Sequence, residues 1–211
     1  EKYFTKTNNF KKSVNLPFPL VVEGNPKAQY QRGLMFYNGT GVTRDYKKAF
    51  KWFASSSLQG YAKAQHRLGI LYYYGQGTIE NHKLAFKWYE EAAKQGYKYA
   101  QYRLATMYHL REKYKEAFKW YQKSANQGYL RAQNDVGLMY EKGFGIEQNY
   151  TDAFHWYRLA ANQGNAISQH NLGLLYVNGF GTPQDHFEAY KWYQKSAEQG
   201  YARAQLDVGH M

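Results

Sequence analysis

The segment Ala85-Phe86-Lys87-Trp88-Tyr89 (AFKWY, residues 85–89) decides the fold, because closely similar segments recur along the chain. The copies are AFKWF at 49–53, AFKWY at 117–121, AFHWY at 153–157 and AYKWY at 189–193. Together they contain all five tryptophans, which are 36, 32, 36 and 36 residues apart. A tryptophan that recurs in a constant context at a near-constant period indicates an array of one repeated unit.

Two further landmarks recur in phase with the tryptophans. Gln-Gly pairs follow them at 59–60, 95–96, 127–128, 163–164 and 199–200. Segments such as AQHRLGILY (64–72) precede them, so units are predicted to begin near Ala28, Ala64, Ala100, Ala132 and Ser168, with a truncated sixth near Ala204. Residues 26–211 are therefore predicted to form the repeat array. Residues 1–25 are predicted to be an N-terminal extension with a short capping helix.

Each unit is predicted to consist of two amphipathic helices, because apolar residues recur at helical spacing on both sides of a glycine-containing joint. The joints are Gly-x-Gly at 39–41, 75–77, 143–145 and 179–181, with predicted N-caps at Asp45, Asn81, Asn149 and Asp185. The third unit is four residues shorter and has HLREK (109–113) instead of this joint. The tryptophans are predicted to fill the core between units, and small residues on the first helices to allow close helix packing.

The composition limits the classes of function. The 211 residues include no cysteine, which excludes disulfides and thiolate metal sites, and no apolar run reaches the about 20 residues that a membrane-spanning helix needs. The formal net charge is +12, but much of it recurs at the residue before each tryptophan, where a solvated face is expected. Binding to a polyanion or to an acidic protein is the alternative. No RNA-binding aromatic motif supports a nucleic-acid partner.

These landmarks closely resemble the Sel-1-like repeat, a branch of the tetratricopeptide-like α/α solenoids, over residues 26–211. The resemblance implies an all-α fold, a right-handed α/α superhelical solenoid of about five and a half helix-turn-helix repeats, whose first helices line a concave surface. It also implies a non-catalytic scaffold or adaptor that binds other proteins. The family has no shared catalytic residues to transfer, so no enzyme activity is predicted.

If the first helices line the groove, a set of their side chains is predicted to contact a partner. The set is Tyr30, Tyr37, Lys63, His66, Tyr73, Tyr99, Tyr102, His109, Arg131, Asn134 and His170. Exposed tyrosines offer large contact areas at small entropic cost, which suits an extended peptide. The alternative is that these tyrosines only pack between adjacent first helices. The histidines lack the i, i+4 spacing of a helix-borne metal site, so neither a metal nor a cofactor is predicted.

The leading functional hypothesis is a bacterial protein-binding solenoid that is exported to the periplasm or secreted, with the cytoplasm left open. Its partner is predicted to be a protein or peptide that is acidic in part, with no nucleic acid and no membrane span. A secreted toxin as partner would make the chain an immunity protein; an envelope or host protein is the other option. The alternative function is a regulatory subunit that binds glycan or peptidoglycan strands, for which tyrosine-lined grooves are chemically suitable.

Overall fold

The computed structural model describes residues 24–211, and these form eleven α-helices and no strand. The helices are α1 (Pro26–Asn38), α2 (Tyr46–Leu58), α3 (Ala62–Tyr74), α4 (His82–Lys94), α5 (Lys98–His109), α6 (Tyr114–Asn126), α7 (Leu130–Lys142), α8 (Tyr150–Asn162), α9 (Ala166–Asn178), α10 (His186–Glu198) and α11 (Ala202–His210). Helices α1 to α10 pair as five units, and α11 is the first helix of a sixth. This confirms the predicted all-α repeat array. The predicted capping helix before residue 24 lies outside the described residues.

The joints within the units follow the predicted glycine and capping chemistry. In the second unit Gly75 and Gly77 have φ of +65° and +72°, which favours glycine. The side chain of Asn81 then accepts a 2.9 Å hydrogen bond from the Leu84 backbone N–H, which caps α4. Asp45, Asn149 and Asp185 cap α2, α8 and α10 in the same way. In the shortened third unit Glu112 adopts a positive φ of 58° instead.

The two helices of a unit approach each other where a glycine faces an aromatic ring. A Cβ atom added to Gly69 would lie 2.6 Å from the ring of Tyr89, so a larger residue would have to displace the ring. In the third unit Ala105 takes this position and is buried in one cluster with Tyr121. The same contact joins Gly33 to Phe53, Gly137 to Tyr157 and Gly173 to Tyr193. The five aromatic residues that follow the tryptophans are all buried, and they are Phe53, Tyr89, Tyr121, Tyr157 and Tyr193. The core of each unit is therefore built around this residue.

The tryptophans themselves differ from the prediction, because all five are only half-buried. Trp120 packs against the core cluster that contains Tyr89 and Leu104 and also against the cluster that contains Tyr121 and Val136. It thus lies at the boundary between units, as expected, but covers the core rather than filling it. A tryptophan ring on the outer part of a helix pair can seal the gap to the next unit while one edge stays in water.

Glutamine side chains connect successive units through a repeated hydrogen-bond relay. In the second unit Gln95 Nε2 donates to Gln65 Oε1 at 2.7 Å, and Gln65 Nε2 donates to the backbone oxygen of Ser57 in the first unit at 3.3 Å. Gln133 makes the same two contacts with Gln163 and with the backbone oxygen of Ala125. Because the first-helix glutamines of the five complete units are buried, this relay satisfies amides whose burial would otherwise be costly. It fixes each unit against the one before.

Aromatic pairs also join α1, α3, α5 and α9 to the start of the next first helix, and we call such a pair a rung. The rungs are Tyr30 with Tyr61, His66 with Tyr97, Tyr102 with Tyr129, and His170 with Tyr201, with ring centroids 5.3, 5.4, 5.0 and 5.2 Å apart. All four are edge-to-face contacts, the geometry that aromatic quadrupoles favour. The second residue of every rung directly follows a Gln-Gly turn.

The glycine contact predicts that Gly137→Ala destabilises the protein by about 1–3 kcal/mol, since the new methyl group would overlap the buried ring of Tyr157. Gly209→Ala is the matched control. Gly209 occupies the same position in α11, and there the added Cβ meets nothing within 4 Å. That variant should be as stable as the parent or slightly more so. Urea denaturation of both variants measures the difference, and equal midpoints would contradict this packing account.

The second rung predicts a pH-dependent stability. His66 is 9% exposed, and burial, followed by the charges of Arg67 and Arg103, lowers its pKa from 6.5 to about 3. Because the unfolded state binds a proton near pH 6.5 and the folded state does not, stability is lost as the pH falls below that value. The chain should lose about 2 kcal/mol between about pH 7 and about pH 5 from this group.

The control for this prediction is His66→Tyr, which carries the tyrosine found at the same position in Tyr30 and Tyr102. Its stability should fall less over the same pH range, because the tyrosine does not titrate there. Thermal or urea unfolding of both proteins across that range provides the comparison. Parallel pH profiles of the two proteins would show that His66 is not held neutral by the fold.

Candidate functional site

The first-helix surface, formed by α1, α3, α5, α7 and α9, carries all eleven side chains that were predicted to contact a partner. The structure divides them by exposure. The buried ones are Tyr30, His66 and His170; the partly buried ones are Tyr37, Tyr73, Tyr102, His109 and Asn134; the exposed ones are Lys63, Tyr99 and Arg131. The second and third groups therefore supply the surface that a partner can touch.

The three buried side chains are members of rungs and serve to pack the units together. His66 contacts the rings of Tyr89 and Tyr97, and His170 lies against Tyr193 and Tyr201. His170 Nε2 also lies 2.7 Å from an Asp207 carboxylate oxygen on α11. Because little of each side chain reaches solvent, these three residues pack between units, and the partly buried and exposed residues are left as the ones to contact a partner.

Tyr99 forms the exposed centre of a continuous aromatic surface. Its side chain is 40% exposed, yet its ring lies 5.3 Å from Tyr97 and 5.1 Å from Tyr129, so it bridges two rungs. Lys98 Nζ lies 5.5 Å from the centre of the same ring. Tyr97 and Tyr129 were not among the predicted site residues. A signal existed, because a tyrosine follows every Gln-Gly turn except the one at 163–164.

At that exception the rung is missing, and we call this place the asparagine gap. Asn134 and Asn165 occupy the two positions that hold rings at the other boundaries between units. A cavity of about 420 Å³ opens there. It is lined by Tyr102, Arg131, Asn134, Asp135, Asn165, Ala166 and Ile167. Of these, Tyr102, Arg131 and Asn134 were predicted site residues, whereas Asp135 and Asn165 were missed.

A hydrogen-bond network replaces the absent ring contact. Asn134 Oδ1 accepts from Ser168 Oγ at 2.9 Å and from Asn171 Nδ2 at 3.3 Å, which links α7 to α9. Asn134 Nδ2 donates to Asp135 Oδ1 at 3.1 Å, and Tyr102 lines the cavity with this carboxylate. Burial raises the pKa of the Asp135 carboxyl above its ordinary value. The gap thus combines a partly desolvated carboxylate, amide groups and one aromatic wall.

The second helices present a basic surface. Lys51, Lys87, Lys119, His155 and Lys191 are all exposed, which confirms that the residue before each tryptophan points outward. A cavity of about 630 Å³ lies between α2 and the joint that follows α3, and its lining includes Lys47, Lys51, Phe50, Tyr72 and Ile79. Positive charge is therefore present on this surface as well as at Lys63 and Arg131 of the first-helix surface.

Two classes of site have no counterpart in the described part of the chain. Residues 24–211 contain no group of three or more His, Asp or Glu side chains placed to hold a metal ion. No helix in this range has the length and apolar character needed to cross a membrane.

Comparison with protein families gives five successive matches to the Sel1 repeat. The matched segments are 26–61, 62–97, 98–129, 130–165 and 166–201, and they agree with the helix pairs described above. No protein with a curated description matches the chain.

Solved structures of bacterial proteins share the fold. A Sel1 repeat protein from Oxalobacter formigenes is 33% identical, with a TM-score of 0.85 over 92% of this chain and 78% of its own. The antigen c5321 of uropathogenic Escherichia coli, which displays the same fold, is 34% identical with a TM-score of 0.84; the match covers 89% of this chain but 41% of that protein. The immunity protein Pa5087 of Pseudomonas aeruginosa, at 21% identity and a TM-score of 0.52 over 90% of this chain and 70% of its own, shares only the fold. With five matched repeats and these relatives, the chain belongs to the Sel1 repeat family of α/α solenoids.

Proposed function

We propose that the chain is a non-catalytic scaffold that binds a protein or peptide partner on its first-helix surface. The observation that carries the proposal is the row of exposed side chains at Lys63, Tyr99 and Arg131, with Tyr102 beside them. Rigid tyrosines and arginines are the residue types that dominate binding energy at protein interfaces. Repeat arrays present such surfaces because each unit contributes one helix to the same side.

The packing around Tyr99 supports this surface as a binding site rather than as ordinary solvated surface. Ring contacts with Tyr97 and Tyr129 hold the Tyr99 side chain in place before a partner arrives. A side chain that is already ordered loses less conformational entropy on binding, so more of its contact energy contributes to affinity. An ordered ring that remains 40% exposed therefore suits recognition.

The charge of the chain indicates the character of the partner. The formal net charge is +12, and exposed lysines and arginines lie on both helix surfaces. A partner that is acidic in part would be attracted and oriented by this field. We propose that the chain acts in bacteria, exported to the periplasm or secreted. A toxin is one class of partner to test, and an envelope or host protein is another.

Affinity capture with two matched variants tests the proposal. The first variant combines Lys63→Glu, Tyr99→Ala and Arg131→Glu on the first-helix surface. The second combines Lys51→Glu, Lys119→Glu and Tyr190→Ala on the second helices, where Tyr190 is 39% exposed against 40% for Tyr99. The two variants lower the net charge by the same amount, and each removes one exposed ring. A purified partner should bind the first variant at least about tenfold more weakly than the parent, and the second unchanged.

Calorimetric titration with the purified partner provides the affinities, and melting temperatures of both variants check folding. Equal affinity of both variants for the partner would contradict the first-helix surface as the binding site. Saturable binding of soluble peptidoglycan fragments, in the absence of any protein partner, would instead support the glycan-binding function.

A further inference from the structure

The asparagine gap differs from every other boundary between units in a coordinated way. At the second boundary His66 and Tyr97 form a rung, and Ala100 is the small buried residue at the third position. At the fourth boundary Asn134, Asn165 and Ser168 replace all three. The space of two rings is thereby vacated, and polar groups are placed around it.

The walls and floor of the gap have distinct chemistry. Tyr102 lines the gap with an aromatic ring, and Ala166 and Ile167, the latter 46% exposed, add apolar surface to the lining. Asp135 places a carboxylate in the lining. A flat group with hydrogen-bond donors at its tip suits such a site, because the face of the group can lie on the tyrosine while its donors reach the carboxylate.

We propose that the asparagine gap is a recognition pocket for an arginine side chain of the partner protein. A guanidinium is planar, stacks on aromatic rings and donates in a fork that matches a carboxylate. This inference rests on the proposed function, and it names one side chain by which the partner is held. The cavity of about 420 Å³ is within the size range of small-ligand pockets and accommodates a guanidinium with its aliphatic stem.

The carboxylate of Asp135 has capacity for this contact. Asn134 Nδ2 donates to it at 3.1 Å, the Tyr102 side chain lies beside it in the lining, and a carboxylate offers about four acceptor positions. Arg131 and His109 are the basic residues whose charge acts on it, and no cationic nitrogen in residues 24–211 lies within 4.0 Å of its oxygens. A partly desolvated carboxylate without an ion pair gains most from a cation that arrives with the partner.

Arg131 is a second residue of the pocket whose substitution should change arginine binding. It lies in the lining and is exposed, so its like charge opposes an incoming guanidinium. Arg131→Ala should therefore strengthen binding of an isolated arginine side chain, whereas a pocket for an anion would be weakened by the same change.

The direct probe is N-acetyl-arginine amide, titrated into the ¹⁵N-labelled full chain while the side-chain amide signals of Asn134 and Asn165 are followed by NMR. These signals should shift saturably with a Kd of about millimolar order, as expected for one isolated side chain. N-acetyl-citrulline amide, which keeps the shape and loses the charge, should bind at least about tenfold more weakly. Asp135→Asn should weaken binding of the arginine probe by a similar factor.

The matched control transplants the second boundary onto the fourth. The variant Asn134→His, Asn165→Tyr, Ser168→Ala restores a rung and fills the gap with residues that the chain itself uses together at 66, 97 and 100. It should fold with an unchanged circular dichroism spectrum and give no saturable shift of the backbone signals around Asp135 with the arginine probe.

Three outcomes would overturn the inference: equal affinity for the citrulline and arginine probes, stronger binding of N-acetyl-tyrosine amide than of the arginine probe, or no saturable shift at all. The second outcome would mean that the gap binds an aromatic ring of the partner, which would take the place of the missing rung. Because Arg131 lines the gap, the capture experiment is also run with a variant that changes only Lys63 and Tyr99 and leaves the gap intact, so the scaffold function and the arginine pocket can fail separately.

Discussion

The glutamine relay is the constraint on which the arrangement of the units depends. In the second to fifth units the buried first-helix glutamine accepts from the turn glutamine of its own unit and donates to a backbone carbonyl of the preceding second helix, as Gln65 does with Gln95 and Ser57. Aromatic packing alone tolerates small shifts between units, but a buried amide requires both partners at hydrogen-bond distance. The relay therefore sets the register in which the other contacts form, including the rungs.

Because the relay holds the register at every boundary, the chain can lose a rung at one of them without losing the array. The relay is intact at the fourth boundary, where Gln163 and Ala161 make their usual contacts with Gln133 and Gln169. The missing ring contact is replaced there by Asn134 and its bonds to α9. The glutamine positions of the repeat thus hold the units together, whereas the rung positions can change from unit to unit. Substitutions at the rung positions can therefore create a pocket without altering how the units are arranged.

The sequence predicted features that repeat and missed features that depend on single units. The joints and the caps at Asn81 and its counterparts follow from local backbone chemistry, so their recurrence in four of the five units identified them. The tryptophans were misassigned as filled core because periodicity shows which residues face inward but not which of two adjacent aromatics meets the glycine. Likewise, Asn134 was predicted to contact a partner, whereas Asn165 and Asp135 were missed. Their importance arises only when two units are placed side by side.

If a chain of net charge +12 has an arginine pocket, its partner needs both an acidic surface and an arginine side chain. At long range the field of the chain repels basic proteins and attracts acidic ones, so a partner must carry acidic surface to approach and orient. At contact, Asp135 attracts a guanidinium, although the field of the chain as a whole repels it. Arg131 also repels a cation in the gap, unless acidic residues beside that cation compensate. Specificity then comes from the combination, an arginine set among acidic residues, because neither feature alone overcomes the opposing charge.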